Sequence, residues 1–412
     1  MKKLIPIVLI MLILCGCSSL LETSQEFTTP HNPSKVEDSS DPLYIEVSDY
    51  EDLQQAMHTL VSAHEENGII RFSSYNGNIE QDLNSACIYI SNDTAIGSYS
   101  GAYVASSLNR FVSYYEANLT ITYKKDAADI GSIISISSVA ELEPLLTEAL
   151  KNYSETIAIR TTNDSINSDS INSVIRNLYY SDPQLIVSMP GVNIIQHSDT
   201  TQISHIYEVE LAYINSESIM NERMKFLQAF KTQLDPEFSN IENEAQLLYQ
   251  LCVYLSDRTD YIGTVPDDEF VQSEMVNTAY GALQQVKASS EGFAMAMKLL
   301  CDWYEIDCKV IVGRYDNYIH AWNMIKVNGD WYHFDITKLS QTPSGALLLT
   351  DSQMDNNYSW DKTAYPVCNG DLDHTYLTGS GQIEPSVPVT GPVSPPDESD
   401  SEQGDIPAVP NE

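Results

Sequence analysis

The most constraining feature of this 412-residue sequence is the segment IHAWNMIKVNGDWYHFDIT, which begins at Ile319. It contains Asn328-Gly329 between two alternating apolar runs, and this dipeptide favours a two-residue type I′ turn, in which both central residues have positive φ. Such a turn fixes the register of a β-hairpin, because Val327 must then oppose Asp330. The further opposed pairs that this register predicts are Lys326 with Trp331, Met324 with His333, Trp322 with Asp335 and His320 with Thr337.

Two side chains of the hairpin can carry chemistry. In the predicted register His320 and Asp335 lie diagonally on one face, with Cβ atoms roughly 7–8 Å apart. An imidazole and a carboxylate can form a hydrogen bond across that distance. The pair is equally compatible with the base and orienting carboxylate of a catalytic triad and with a structural His–Asp contact.

The stretch KASSEGFAMAM, residues 287–297, precedes the hairpin. Apolar residues recur at helical spacing after Ser290, so a buried amphipathic helix should begin near this serine. Ser290 is then either a nucleophile at a helix N-terminus or an N-cap whose hydroxyl accepts a hydrogen bond from the amide of Gly292 or Phe293. The residues of the apolar stripe are Phe293, Met297, Leu300, Cys301 and Tyr304.

Neither neighbouring cysteine can replace Ser290. Cys301 lies eleven residues further along the same predicted helix, about 16 Å away at 1.5 Å per residue. Cys308 follows the helix in an apolar strand and is interpreted as a structural thiol. A Cys301–Cys308 disulfide is compatible with an exported protein, although the spacing alone does not support it.

Three segments of the sequence, read in order, resemble one known family. They are TAYGALQQVKASSEGFAMAMKLL, IDCKVIVGRYDNYIHAWNMIKVNGDWYHFDIT and SWDKTAYPVC. In order and spacing they resemble the transglutaminase-like domains of bacterial surface and secreted proteins, over about residues 216–370. The resemblance implies an α+β, papain-like fold with a nucleophilic cysteine at a helix N-terminus. It also implies that His320 and Asp335 are the base and its orienting carboxylate, while Ser290 stands where the family has cysteine.

The serine changes the expected function. A thiol, with a reference pKa of about 8.5, can be ionised by a helix N-terminus and a neighbouring imidazolium, whereas a serine hydroxyl needs His320 to take its proton during attack. We therefore expect a catalytically impaired site, a pseudoenzyme that binds peptide or cell-wall material. One alternative is a Ser290-His320-Asp335 hydrolase or acyltransferase acting on amide or ester bonds (a protease, amidase or transamidase). Another is a scaffold whose N-terminal units bind the ligand.

The N-terminus predicts export and lipidation. Two lysines precede the apolar run LIPIVLIMLIL, which suits a signal peptide and is too short to span a bilayer. The tetrapeptide Leu14-Cys15-Gly16-Cys17 resembles a lipobox, and Cys17 is the better acceptor because a small glycine precedes it. We predict a signal peptide over residues 1–16. Acyl chains such as palmitate on Cys17 would anchor the mature protein to the extracytoplasmic side of the cell membrane.

The region after Cys17 is divided by its composition. A polar, proline-containing stretch over 17–43 reads as a flexible tether. The segments that begin at Ile45 and Ile134 share an order of short strand, Ser/Asp cap and helix, which predicts two tandem α/β units. The histidines of these units (His58, His64, His197 and His205) are isolated in the sequence. The predicted boundaries are 44–125 and 133–214 for the units, 216–370 for the transglutaminase-like domain and 379–412 for a disordered acidic, Pro-rich tail.

Charge and cysteine spacing limit the partners. The chain has 58 acidic and 21 basic residues, a formal net charge of -37 that would repel a nucleic-acid backbone. No CxxC or Cys/His spacing typical of zinc sites follows the signal peptide, so we expect no metal or other cofactor. The expected partners are the membrane, through Cys17, and a peptide, protein or cell-wall ligand.

Overall fold

A computed structural model describes the fold over residues 44–200, 204–263 and 275–378. The predicted signal peptide, the lipidation site Cys17, the tether over 17–43 and the tail over 379–412 lie outside the described residues. None of the described helices combines the length and the hydrophobicity that a membrane crossing requires.

The first sheet is built by residues 44–122. Its elements are β1 (Tyr44–Val47), α1 (Tyr50–Ser62), β2 (Asn67–Phe72), α2 (Ile79–Asn92), α3 (Ala95–Ser100), β3 (Tyr103–Arg110) and β4 (Tyr115–Thr122). The strand order is β1-β2-β4-β3, with β1 parallel to β2 and the other neighbours antiparallel. Helix α1 begins after Asp49, because the side chain of this residue caps the helix by accepting a hydrogen bond from the Asp52 amide.

The second sheet repeats this topology. After α4 (Ala127–Gly131) come β5 (Ile134–Ser135), α5 (Leu142–Lys151), β6 (Thr156–Thr161), α6 (Ser168–Ser181), β7 (Gly191–Ser198) and β8 (His205–Ala212). The order β5-β6-β8-β7 has the same strand directions as the first sheet. His197, isolated in the sequence, lies with Nδ1 2.8 Å from Ser98 Oγ of α3 and so links the two sheets. The predicted unit boundaries stay a prediction.

The remaining elements surround a third sheet. They are α7 (Glu217–Phe238), α8 (Glu244–Arg258), β9 (Asp260–Tyr261), β10 (Lys287–Ala288), α9 (Ser290–Trp303), β11 (Cys308–Tyr315), β12 (Tyr318–Val327), β13 (Asp330–Phe334), α10 (Asp351–Met354), β14 (Tyr358–Ser359) and α11 (His374–Thr378). The third sheet is antiparallel, in the order β13-β12-β11-β14, and α9 packs on β12 and β11. Together the helices and sheets confirm the predicted α+β class.

The hairpin predicted from Asn328-Gly329 is present. Asn328 has φ of 51° and Gly329 has φ of 95°, as a type I′ turn requires. Val327 pairs with Asp330, Lys326 with Trp331 and Met324 with His333, so this part of the register is confirmed. The ladder ends with Asn323 opposite Phe334, because the chain then turns into a short 3₁₀ helix over Ile336–Lys338. The predicted strand pairs Trp322–Asp335 and His320–Thr337 are therefore wrong.

One hydrophobic core extends from Ile136, just after β5, to Leu377 in α11. Helix α9 crosses this core and is buried along nearly its whole length. The buried thiols of Cys252, Cys301 and Cys308 lie in this core. All five cysteines of the described residues are free, so the Cys301–Cys308 disulfide is not formed.

Candidate active site

The N-terminus of α9 is capped by Ser289, and not by Ser290. Ser289 has extended backbone angles, with φ of -74° and ψ of 178°, and its hydroxyl accepts a hydrogen bond from the Gly292 amide at 3.4 Å. The same hydroxyl donates to Asn277 Oδ1 at 2.5 Å. The interpretation of Ser290 as the cap is thus wrong, because the preceding serine occupies that position. Ser290 is the first helical residue.

Ser290 is half-buried and touches the strand that carries the histidine. Its Oγ accepts a hydrogen bond of 3.2 Å from the backbone N–H of Ala321, the residue after His320. One turn further along the helix, Asn323 Nδ2 donates to the carbonyl of Ala294 at 2.9 Å. These two bonds hold the start of α9 against the middle of β12.

The close approach at the helix N-terminus depends on Gly292. A Cβ atom at this position would lie 2.1 Å from the carbonyl oxygen of Val276 and 3.0 Å from Cβ of Ala288. The first distance is shorter than real carbon contacts and the second is tighter than most of them, so only glycine fits here without moving the backbone. This packing explains the glycine two residues after Ser290.

His320 and Asp335 form a buried pair. His320 is 4% exposed, Asp335 is fully buried, and Nε2 of the imidazole lies 2.8 Å from Oδ2 of the carboxylate. The predicted diagonal contact therefore exists. It is made differently from the prediction, because Asp335 lies beyond the ladder and caps the 3₁₀ helix that follows β13.

The Asp335 carboxylate is held ionised by its hydrogen bonds. Oδ1 accepts from the Thr337 amide at 3.2 Å and from its hydroxyl at 2.6 Å, and Tyr358 Oη donates to Oδ2 at 2.7 Å. Burial raises the pKa of Asp335, but the hydrogen bonds from His320, Thr337 and Tyr358 and the imidazole charge outweigh it, so the net pKa is lowered. Burial, followed by the charge and the hydrogen bond of Asp335, raises the pKa of Tyr358.

The imidazole of His320 has one nitrogen left for a reaction partner. Nε2 is occupied by Asp335, so only Nδ1 can take a proton from a nucleophile or bind a ligand. Within the described ranges, no hydrogen bond joins His320 to Ser290 Oγ. The ring is surrounded by aromatic side chains, with Tyr315, Tyr358 and Trp322 at centroid distances of 5.7, 6.0 and 6.2 Å.

A side chain of the second sheet region reaches the residue next to Ser290. Tyr180 of α6 donates a hydrogen bond from Oη to Glu291 Oε1 at 2.9 Å. Burial raises the pKa of Glu291, and the Tyr180 hydrogen bond opposes that rise. Tyr180 also lines a cleft of about 440 Å³ between α6 and β11, together with Lys298, Lys309 and Tyr365.

A second polar cluster lies behind the site and was missed by the sequence prediction. His333 Nε2 is 2.9 Å from Asp351 Oδ1, and Trp322 Nε1 donates to His333 Nδ1 at 2.9 Å. Cys368 completes the cluster, since its sulfur and one nitrogen or oxygen of each partner lie within 4.8 Å of one another. No other group of potential metal ligands is found in the part of the chain that the structure describes.

This cluster does not suit a metal ion. Because Nδ1 of neutral His333 accepts from Trp322, Nε2 must carry the proton that it gives to Asp351. The thiol is equally unsuited, because burial, followed by the charge and hydrogen bond of Asp351, raises the pKa of Cys368 to about 12. A metal would have to displace both protons, so the cluster is a hydrogen-bonded part of the core.

The partners of Asp335 show which site residues local patterns can identify. Thr337 follows Asp335 by two residues, a spacing at which an aspartate often caps a turn, so this partner had a local signal. Tyr358 and Tyr180 had none, because each is brought to the site by tertiary packing alone.

Comparison with solved structures gives weak similarities. A candidate cysteine protease from Cytophaga hutchinsonii has 14% identity over 41% of this chain and 65% of its own, with a TM-score of 0.24. A structure described as a TGase has 10% identity over 53% and 61% of the two chains, with a TM-score of 0.23. A candidate protease from Parabacteroides distasonis has 8% identity over 67% and 60%, with a TM-score of 0.22. The chain thus spans less than two thirds of each of these structures.

The family comparison concerns the region of the site. A search among curated proteins finds no match to the chain. Residues 232–336, however, match the Transglutaminase-like superfamily, and this range includes Ser290, His320 and Asp335. The chain therefore contains a transglutaminase-like domain.

Proposed function

We propose that this protein is an extracytoplasmic lipoprotein, anchored through Cys17, whose transglutaminase-like site binds peptide or cell-wall material without turning it over. The observation that carries the proposal is the environment of Ser290. Ser290 stands in the sequence where the family is expected to have cysteine, yet its hydroxyl accepts a hydrogen bond from the Ala321 amide and, among the described residues, none joins it to His320.

The chemistry of a hydroxyl explains why this environment favours binding. A serine attacks a carbonyl only when a base in hydrogen-bond reach removes its proton, whereas a cysteine can wait as a thiolate. The site also offers surface to a ligand. Tyr318 and Ile319, which precede His320, are 69% and 67% exposed, and Tyr261 is 40% exposed and packs on Phe293 of α9. Exposed tyrosines of this kind provide large contact areas in peptide-binding surfaces.

A second candidate function is a Ser290-His320-Asp335 hydrolase or acyltransferase. The specific observation in its favour is the buried Asp335 carboxylate, which His320, Thr337 and Tyr358 satisfy completely. Such an arrangement orients the imidazole and stabilises its charged form, as a general base requires. Small movements on ligand binding can bring a hydroxyl within reach of a base.

A fluorophosphonate probe separates the two functions. We expect no labelling of the purified protein, because the hydroxyl of Ser290 has no base bonded to it. Binding of peptidoglycan fragments or peptides should survive Ser290→Ala. Labelling that disappears in both Ser290→Ala and His320→Ala would instead establish the hydrolase.

Replacing the nucleophile tests whether the rest of the site is intact. Ser290→Cys should react with iodoacetamide at neutral pH, because the helix N-terminus and His320 lower the pKa of a thiol at this position. The buried native thiols provide the background, and the double variant Ser290→Cys/His320→Ala is the matched control. Equal reactivity of the two variants would show that His320 does not act on position 290.

The anchor has its own test. Radioactive palmitate should label the protein in cells, and the protein should float with membranes in a density gradient. Cys17→Ala should abolish the labelling, whereas labelling retained in this variant would exclude Cys17 as the acceptor.

A further inference from the structure

The β3–β4 hairpin of the first sheet ends in an apolar tip. Its residues 110–115, RFVSYY, are called the aromatic tip below. Phe111 is 44% exposed and Val112 is fully exposed. The Phe111 amide donates to the Tyr114 carbonyl at 2.9 Å, which leaves Val112 and Ser113 at the apex. Glycine, asparagine and aspartate are the residues favoured in such turns. The geometry of the turn therefore does not explain why apolar residues lie at its apex.

The rings of the aromatic tip continue toward the start of the described chain. Phe111 stacks on Tyr114 with centroids 4.7 Å apart. Arg71 lies between the next two rings, with Cζ 4.6 Å from the centroid of Tyr114 and 3.8 Å from that of Tyr44. Tyr44 is the first described residue and directly follows the proposed tether. A continuous ladder of rings and one guanidinium therefore connects Tyr44 with the tip.

The corresponding connection of the second sheet, between β7 and β8, begins with a contact to another part of the fold. After β7, the Thr200 amide and hydroxyl donate to the carbonyl of Asp93 at 3.0 and 3.3 Å, so the start of this connection, up to Thr200, contacts the first unit. Among the described residues, Phe111, Val112 and Ser113 make no hydrogen bond to any other element.

We propose that the aromatic tip inserts into the lipid bilayer that carries the Cys17 anchor. Tyrosine side chains prefer the headgroup region of a bilayer, and phenylalanine and valine can reach the acyl chains below it. Arg110 is exposed at the tip, where its guanidinium can contact lipid phosphates. The inference rests on the proposed lipidation of Cys17 and is independent of the chemistry at Ser290.

Because the proposed tether keeps the tip near the bilayer, insertion of only a few side chains is sufficient for binding. The composition of residues 18–43 predicts a tether, and a flexible chain of this length would have a root-mean-square span of about 30 Å, which would keep the first unit close to the bilayer. Binding of the tip is then intramolecular, and a high effective concentration compensates for the weak affinity of one or two apolar side chains.

The charge distribution selects the face that approaches the lipid. A net charge of -37 repels most of the surface from anionic headgroups. Near the tip, the carboxylate of Glu116 is neutralised by Arg71 at 3.2 Å. Arg110 has no carboxylate partner in the described ranges, and its guanidinium lies 5.6 Å from the ring of Tyr115. The aromatic tip is therefore a local exception to the acidic surface.

A single fluorescent label tests the inference. Ser113→Cys is nearly isosteric and exposed, and the native cysteines of the described residues are buried, so an environment-sensitive nitrobenzoxadiazole dye will label position 113 selectively. The lipidated full chain is reconstituted in vesicles of phosphatidylethanolamine and phosphatidylglycerol. We expect a blue-shifted emission that lipids brominated in the acyl chains quench. The matched control is Ser340→Cys, exposed in the transglutaminase-like domain, which should show neither effect.

Removing the apolar side chain completes the experiment. Phe111→Ser in the Ser113→Cys background should reduce the inserted population of the label about tenfold. The variant loses the favourable free energy of moving one large apolar side chain from water into the bilayer. A protein that floats with the vesicles but shows no lipid effect at position 113 would overturn the insertion and leave the anchor intact. A protein that does not float would overturn both. An emission shift produced by a cell-wall or protein fraction, and not by lipid, would make the tip a protein-binding surface and would also overturn the inference.

Discussion

The two histidines of the β12–β13 hairpin each pair with a carboxylate outside it, and the two pairs differ in what contacts the second ring nitrogen. His320 Nε2 is 2.8 Å from Asp335, and His333 Nε2 is 2.9 Å from Asp351. Nδ1 of His333 is occupied by the indole N–H of Trp322, whereas Nδ1 of His320 has no hydrogen-bond partner among the described residues. Residue types and distances are thus nearly the same in both pairs. Only the pair with a free nitrogen can accept a proton from a nucleophile or bind a ligand.

The largest difference should appear when each carboxylate is removed. Asp335→Ala leaves the His320 imidazole and two hydroxyl donors without a partner in a site that excludes water, so we expect the free energy of unfolding to fall by about 3–5 kcal/mol. Asp351 is partly exposed, and Asp351→Ala should cost about 1–2 kcal/mol, because water replaces the lost acceptor. Urea unfolding followed by tryptophan fluorescence measures both.

Exposed Asp355 is the control for these two variants. Its ion pair with Lys362 is at the surface, so Asp355→Ala should change the free energy of unfolding by less than about 1 kcal/mol. Equal losses in Asp335→Ala and Asp351→Ala would mean that the two pairs are equivalent, and that burial does not distinguish them.

A smaller effect on stability is expected from removing the hydrogen bond that Trp322 donates to Nδ1 of His333. Burial lowers the pKa of His333, so the unfolded chain takes up a proton that the folded chain resists. The resulting stability is present above about pH 6.5, the unfolded value, and is lost as the pH falls toward the lower pKa of the folded state. Trp322→Phe frees Nδ1, raises the pKa of His333 and should reduce this loss.

The measurement is the free energy of unfolding at several pH values between about 7 and 5, where histidine titrates. Trp331→Phe is the matched control, because Trp331 lies on the same hairpin and makes no contact with His333 among the described interactions. If the two tryptophan variants have the same pH dependence, the indole N–H does not control protonation of His333.

The smallest effect on stability should come from removing one hydrogen-bond donor of the His320–Asp335 pair. Tyr358→Phe removes a single hydrogen bond to Asp335 and should cost about 0.5–1.5 kcal/mol of stability at neutral pH. Because the pKa of Asp335 is lowered, its contribution is present above about pH 3.9, the unfolded value, and is lost as the pH falls through the folded pKa. The variant raises that pKa and should show a smaller acid-induced loss.

Acid unfolding of Tyr358→Phe is best compared with Tyr376→Phe, whose ring is 40% exposed. An acid-induced loss in Tyr358→Phe that is as large as in the unchanged protein would show that the Tyr358 hydroxyl does not stabilise the ionised carboxylate.

The hairpin was predictable from sequence because its information is local. Asn328-Gly329 sets the turn and the turn sets the register, so Met324 and His333 could be paired without knowing the fold. The prediction failed where the pairing met the end of the strand. There the hydrogen bonds of Asp335 with Thr337 replace the ladder, and tertiary contacts with His320 and Tyr358 fix the carboxylate.

The helix cap illustrates a different limit. Ser289 and Ser290 are adjacent and chemically identical, so helix propensity alone could not decide which of them is the cap. The decision comes from Asn277, which binds the Ser289 hydroxyl, and from Ala321, which binds that of Ser290. Both partners are distant in sequence, and their positions depend on the completed fold.

The continuous core has a consequence for where this molecule can be divided. Sequence similarity begins at residue 232, but the core extends back to Ile136, and Tyr180 is bonded to Glu291 beside the site. A chain shortened to residues 216–370 would expose the apolar surface that packs against the second sheet region and would lose the partner of Glu291. We expect such a fragment to aggregate. The segment that matches the family is therefore shorter than the smallest part of the chain that folds cooperatively.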